Sequence, residues 1–122
     1  MFPKDHIDRL ADLFRCREGD PERSAILFLD QRARLCGARL IEGDSDMLEL
    51  PMREILEDGM ALPARQILLV HTHPSGDPRP SRQDVAATRR MCGLLRRQGQ
   101  RLFDHIILSN SRYFSFRANR LL

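Results

Sequence analysis

Residues 65–84 read RQILLVHTHPSGDPRPSRQD, and the fold turns on how this stretch divides. The first half is a continuous apolar run, Ile67 to Val70, closed by polar residues and Pro74, as in a central strand covered on both faces. The second half is a loop shaped by proline and glycine that ends at Ser81, after which the chain keeps a helical period to about Gln98. His71 and His73 therefore stand at a strand exit, and Asp84 in the first turn of a helix. Side chains two apart on a strand share a face, so both imidazoles can aim at one point while Thr72 faces outward on the other side.

Ser81 reads as an N-cap whose hydroxyl accepts a hydrogen bond from the amide of residue 83 or 84. At ~100° per residue, Met91 and Leu95 fall within about 20° of Asp84, whereas Arg82, Arg89, Arg90, Arg96 and Arg97 gather on the opposite side. The carboxylate thus lies on the apolar stripe, where an ionised group is costly unless something positive or hydrogen-bonding meets it. A divalent cation resolves that conflict. His71, His73 and Asp84 supply three ligands and leave a fourth position for water, the composition of a catalytic zinc site rather than a structural one. Two blander roles stand beside this reading: a first-turn acid complementing the helix dipole, and histidines hydrogen-bonded near a strand end.

A hydrolytic water also needs a general base. Glu22, Glu42, Glu49, Glu54 and Glu57 are candidates, and Glu22 is best placed because it directly precedes the first buried strand. The alternative for Glu22 is a solvated loop acid.

Working outward, "SAILFLD" (24–30) and "RARLCGARLI" (32–41) suggest a hairpin. "PMREILEDGMAL" (51–62) opens with Pro at a plausible first helical position and sets Met52, Ile55, Leu56 and Met60 at helical spacing. "LFDHIILSN" and "RYFSFRA" give two last strands around an Asn-Ser turn, and residues 1–20 hold an N-terminal helical segment that gives way to the loop "CREGDPER" (16–23). The order is helix, two strands, helix, strand, helix, two strands, a mixed α/β, or α+β, sandwich within a single domain. Asp104 and His105 read as a local hydrogen-bonded pair. Arg53 and Glu54 either anchor the short helix or line a groove.

A chain of 122 residues with 42% hydrophobic content can bury one core. Its opening lacks the apolar run of a signal peptide, and no later stretch approaches membrane-spanning length, so a cytoplasmic protein without membrane contact is expected. Cys16, Cys36 and Cys92 lack C-x-x-C spacing, which argues against a disulfide framework or a cysteine zinc site. The net charge of +3 is modest and Lys4 is the lone lysine, so nucleic-acid binding rests on the arginine stripe alone.

The pattern H-x-H, seven residues, S-x-x-D resembles the JAMM (MPN-plus) metalloprotease signature, and "HTHPSGDPRPSRQD" looks like its bacterial RadC branch. "ERSAILFLD", "LPMREIL", "FDHIILSN" and "RYFSFRA" are similar to RadC segments in the same order, from about residue 22 to 118. The resemblance implies a cytidine-deaminase-like JAMM/MPN fold, a mixed, curved sheet flanked by helices. It also implies Zn2+ on His71, His73 and Asp84, Glu22 moving a proton from water to the leaving amine, and Ser81 donating to the oxyanion. Peptide or isopeptide bonds would be the substrate. Thr72 stands where RadC-like proteins usually have Asn, and only about twenty residues precede Glu22, where longer RadC proteins carry a helix-hairpin-helix portion.

Two other functions compete. One is a DNA-associated or protein-binding module with a structural or vestigial metal site, using Arg82, Arg89, Arg90, Arg96 and Arg97 against phosphates, although such stripes are commonly just solvated. The other, a nuclease or deaminase, fits poorly because the chain lacks the cysteine pair or extra carboxylates these need. An exposed sheet edge could also pair with a second copy to give a homodimer.

Overall fold

A computed structural model describes residues 8–9, 12–14, 19–42 and 50–122. Cys16, Glu49 and most of the expected N-terminal helical segment lie outside these residues, although 8–9 and 12–14 are helical. The elements are β1 (Arg23–Leu29), β2 (Leu35–Glu42), α1 (Met52–Ala61), β3 (Gln66–Thr72), α2 (Arg82–Arg97), β4 (Arg101–Ser109) and β5 (Arg112–Ser115). They form one five-stranded sheet in the order β2-β1-β3-β4-β5, antiparallel except for the β3–β4 pair. Mixed α/β architecture is therefore what the sequence led us to expect.

β3 is central, and its two faces explain its unbroken apolar run. Ile67 and Leu69 join Ile26, Phe28, Ile55, Met91 and Leu95 in the core between sheet and helices. Leu68 and Val70 join Ala25, Ile106 and Leu108 on the other face. Burying a Leu or Ile side chain contributes ~1.5–3 kcal/mol, so both faces weigh heavily in holding β3 in register. His71 has the parity of Ile67 and Leu69 and therefore points towards α2.

Between β3 and β4 the register shifts: Ile67 faces Leu102 but Leu68 faces Asp104, with Phe103 inserted between. This bulge changes the phase of β4, so Leu102 joins the helix-side core while Ile106 and Leu108 join the opposite one. His105 and Ile107 are thereby turned to the helix side.

α2 starts and stops on recognisable chemistry. Ser81 caps it in a reciprocal box: its hydroxyl accepts from the Asp84 amide at 3.0 Å, and the Asp84 carboxylate accepts from the Ser81 amide at 2.8 Å. At the other end Gly99, with φ +75°, lets its amide reach the Arg96 carbonyl and that of Gln100 reach Leu95, a Schellman closure.

Three expectations need correction. Pro51 precedes α1 as its N-cap instead of being its first helical residue. Met60 is 63% exposed, because Gly59 takes the buried place, a Cβ there standing 2.9 Å from the Gln100 side-chain oxygen. Thr72 does not face outward: it is wholly buried and bonded to Arg23. As expected, Asp104 and His105 do form a local hydrogen-bonded pair: the His105 backbone amide donates to the Asp104 carboxylate at 2.7 Å, and that carboxylate also accepts from Ser115 and Arg117.

Candidate metal centre

The strand end, the loop and the helix start meet around four side chains. His71, 2% exposed at the penultimate position of β3, sets Nε2 3.4 Å from Glu22 Oε2 and Nδ1 3.9 Å from Asp84 Oδ1. His73, just past the strand, sets Nε2 3.2 Å from Asp84 Oδ2. Its other nitrogen, Nδ1, lies 3.1 Å from the Asp77 carbonyl, which can only accept, so the loop fixes the ring with Nδ1–H donating and Nε2 turned inward. The imidazoles meet edge to face with centroids 4.6 Å apart.

Among the described residues, Glu22, His71 and His73 form the group whose ligand atoms lie within 4.8 Å of one another and that could hold a metal ion. Asp84 touches both histidines but gives one oxygen to the Ser81 amide as well. The structure thus brings together His71, His73, Asp84, Glu22 and Ser81, the five residues that the sequence singled out. Glu22, His73, Ser81 and Asp84 line a cavity of about 370 Å³ with Asp77 and Arg79. Exposure is graded across the cluster: Asp84 and His71 side chains are 5% and 3% exposed, and that of Glu22 41%, so of the two carboxylates the one at the rim meets solvent.

Glu22 reaches the histidines because Thr72 ties the strand ends. The Thr72 hydroxyl, on the face opposite His71, accepts from the Arg23 amide at 2.8 Å, one residue after Glu22. Glu42 is exposed at the end of β2, and Glu54 and Glu57 are exposed on α1, where Glu57 pairs with Arg53 at 3.1 Å. None of these lines the cavity with Glu22, nor does Arg53.

Charges inside the cluster are sorted by environment. Burial, reinforced by neighbouring His73, lowers the His71 pKa below 6.5 despite the opposing carboxylates of Asp84 and Glu22, so its ring is neutral and offers a lone pair. Burial also opposes charge on His73, but the hydrogen bond that its ring donates to the Asp84 carboxylate outweighs it and raises the pKa. Asp84 is brought down to about 2: burial works against ionisation and is overcome by His73 and the Ser81 amide. A neutral imidazole, a second imidazole locked through its outer nitrogen, and the ionised Asp84 carboxylate make a donor set that fits a borderline-soft divalent cation.

Thr88 and His105, behind the cluster, were not read as site residues from the sequence. Thr88 follows Asp84 by four on the same helical stripe, the one signal that could have drawn attention to it.

A mixed sheet whose central strand ends in a histidine pair, followed by a helix capped by serine and acid, defines a JAB-type domain. The profile of the RadC-like JAB domain matches residues 3–121, so the chain belongs to the RadC-like JAB family. A UPF0758 protein of Carboxydothermus hydrogenoformans is 33% identical over 101 residues, covering 82% of this chain and 45% of that protein. One from Rhodobacter capsulatus is 36% identical over 102 residues, covering 83% and 48%. Another from Coprothermobacter proteolyticus is 34% identical over 124 residues, covering 98% and 52%. The chain spans about half the length of the curated relatives it matches. Among the described residues, no helix is long and apolar enough to cross a membrane.

Proposed function

We propose that this chain is a zinc-dependent hydrolase of peptide or isopeptide amide bonds, acting in the cytoplasm. The observation that carries the reading is the position of Glu22, whose Oε2 stands 3.4 Å from His71 Nε2 at the exposed rim of an otherwise buried cluster. His71, His73 and Asp84 would hold the zinc. When bound, the metal lowers the pKa of a water towards ~7 and polarises the scissile carbonyl.

The remaining work falls to the chain. Glu22 takes a proton from the attacking water as its oxygen bonds to the carbonyl carbon, and returns that proton to the nitrogen as the C–N bond breaks. The Ser81 hydroxyl accepts from the Asp84 amide, which leaves its own hydrogen to donate to the oxyanion. Family membership supports hydrolysis because JAB domains are usually hydrolytic, and free Cys36 and Cys92 agree with a reducing compartment.

Cleavage of peptide and isopeptide libraries by wild type and Glu22→Gln, each with zinc content measured, tests the proposal. Zinc-replete wild type should turn over at least one substrate, and Glu22→Gln should keep its zinc while losing about 100-fold or more in rate. Stoichiometric zinc without turnover of any library member would refute it.

A second reading follows from the exposure of Arg82, Arg89, Arg90, Arg96 and Arg97 along α2, a face that could track a nucleic-acid backbone. DNA affinity that falls steeply with salt and vanishes when the five become Ala would favour it. For self-association, the edge strand β2 with exposed Leu35 and Leu40 is where a second copy would pair.

A further inference from the structure

His105 is wholly buried on the helix side of the sheet, and the proposed reaction gives it no task. It is there because of the Phe103 bulge: with unbroken alternation from Leu102, its ring would lie on the opposite face. It stacks on Phe116 with centroids 4.3 Å apart and planes 15° from parallel.

Counting hydrogens fixes its tautomer. Thr88 Oγ1 lies 2.6 Å from the Asp84 carbonyl oxygen and 2.8 Å from His105 Nδ1. A carbonyl cannot donate, so the single hydroxyl hydrogen goes to Asp84, and the ring Nδ1–H donates to Thr88. His105 Nε2 is then a bare acceptor, and it is buried without a hydrogen-bond partner among the described residues. His71 Nδ1 is in the same position, because Asp84 Oδ1 at 3.9 Å is beyond hydrogen-bond reach. The two rings are 6.0 Å apart between centroids and tilted by 33°. Each such orphan is costly where it is buried, and a donor on one ring and an acceptor on its neighbour would relieve one another.

We propose that His105 is a positioning residue for the metal centre: its Nε2 accepts Nδ1–H of His71 and so holds a bare His71 Nε2 towards Glu22 and His73. A direct bond of about 3 Å between nitrogens asks the rings to approach by roughly an ångström. The resulting path, Asp84 carbonyl to Thr88 to His105 to His71, joins the helix that carries one ligand to the strand that carries another. It also explains why a carboxylate faces His71 Nε2: lone pair and anion repel unless a cation lies between them. The assignment rests on the metal-centre reading above and adds an outer support to it.

Ring-nitrogen NMR of the full chain, with and without zinc, tests it alongside zinc affinity by chelator competition. Wild type should show His105 and His71 both as Nδ1–H, His71 in slow exchange. His105→Phe, which keeps the stack on Phe116, should lose the protected His71 signal and bind zinc about 10- to 100-fold more weakly. Leu95→Ala, a core truncation three turns from Asp84, should melt earlier and leave zinc affinity unchanged. Should His105→Phe not fold, Thr88→Val serves, since it frees His105 to change tautomer and weakens zinc in the same direction. A His71 carrying its hydrogen on Nε2, or a folded His105→Phe or Thr88→Val with wild-type zinc affinity, overturns the proposal. Wild type that bound no zinc would defeat the metal-centre reading, while the zinc-free spectra would still decide the tautomers.

Discussion

The Thr72 hydroxyl accepts the Arg23 amide hydrogen at 2.8 Å, and this bond across 49 residues sets the distance between Glu22 and His71. Thr72 and His71 are neighbours on opposite faces of one strand, so the face of β3 away from α2 governs what happens on the face towards it. Thr72→Val keeps the shape but leaves the Arg23 amide unpaired, at a cost of about 1–3 kcal/mol. Chemical denaturation should show that loss, and catalytic rate should fall more than zinc affinity, since Glu22 is displaced while the histidines stay.

Ser81 has a structural duty and a proposed chemical one, and Ser81→Ala separates them. Loss of the cap should cost about 1 kcal/mol of stability, read by denaturant unfolding. Loss of the oxyanion donor should lower kcat by about 100-fold or more with KM little changed. A rate that falls no further than the lost fold accounts for would leave Ser81 as a cap alone.

Core depth around β3 is tested by Leu69→Ala. Leu69 is wholly buried between sheet and helices, and its truncation should destabilise by about 2–5 kcal/mol. Leu40→Ala on the edge strand, where the side chain is 71% exposed, should stay within about 0.5 kcal/mol.

Acid acts on the site through groups of opposite sign. Asp84 sits at about 2 against an ordinary 3.8, so its contribution to folding is complete above 3.8 and is lost as pH falls towards 2. Melting in chelator should show that acid limb, and Asp84→Asn should flatten it. His73 is raised above 6.5, so its protonated form contributes fully below 6.5 and that contribution is lost as pH rises through the raised value. An incoming cation displaces the same proton, so metal affinity should tighten as pH rises through that window.

The histidine pair and Asp84 were legible because they ride on strong local periods, a strand of period two and a helix of 3.6. Helix-side burial of Asp84 with Ala87, Thr88, Met91 and Leu95 is the stripe that spacing predicts. What escaped depends on one-residue or long-range events. The Phe103 bulge changes no composition, yet it moves His105 to the site's face. Burial of Thr72 depends on Arg23, and exposure of Met60 on Gln100 filling the space beside Gly59; neither partner is near in sequence. Local patterns thus pointed to the candidate site, while the packing around it depends on tertiary pairing.

Zinc titration of wild type, Asp84→Asn and Glu22→Gln, followed to stoichiometry and affinity, tests the division of roles most directly. With Asp84 as ligand and Glu22 as base, wild type and Glu22→Gln should each bind one equivalent with similar affinity, and Asp84→Asn should bind at least about tenfold more weakly. Loss of zinc in Glu22→Gln with retention in Asp84→Asn would make Glu22 the third ligand and Asp84 a helix cap, and would contradict the account.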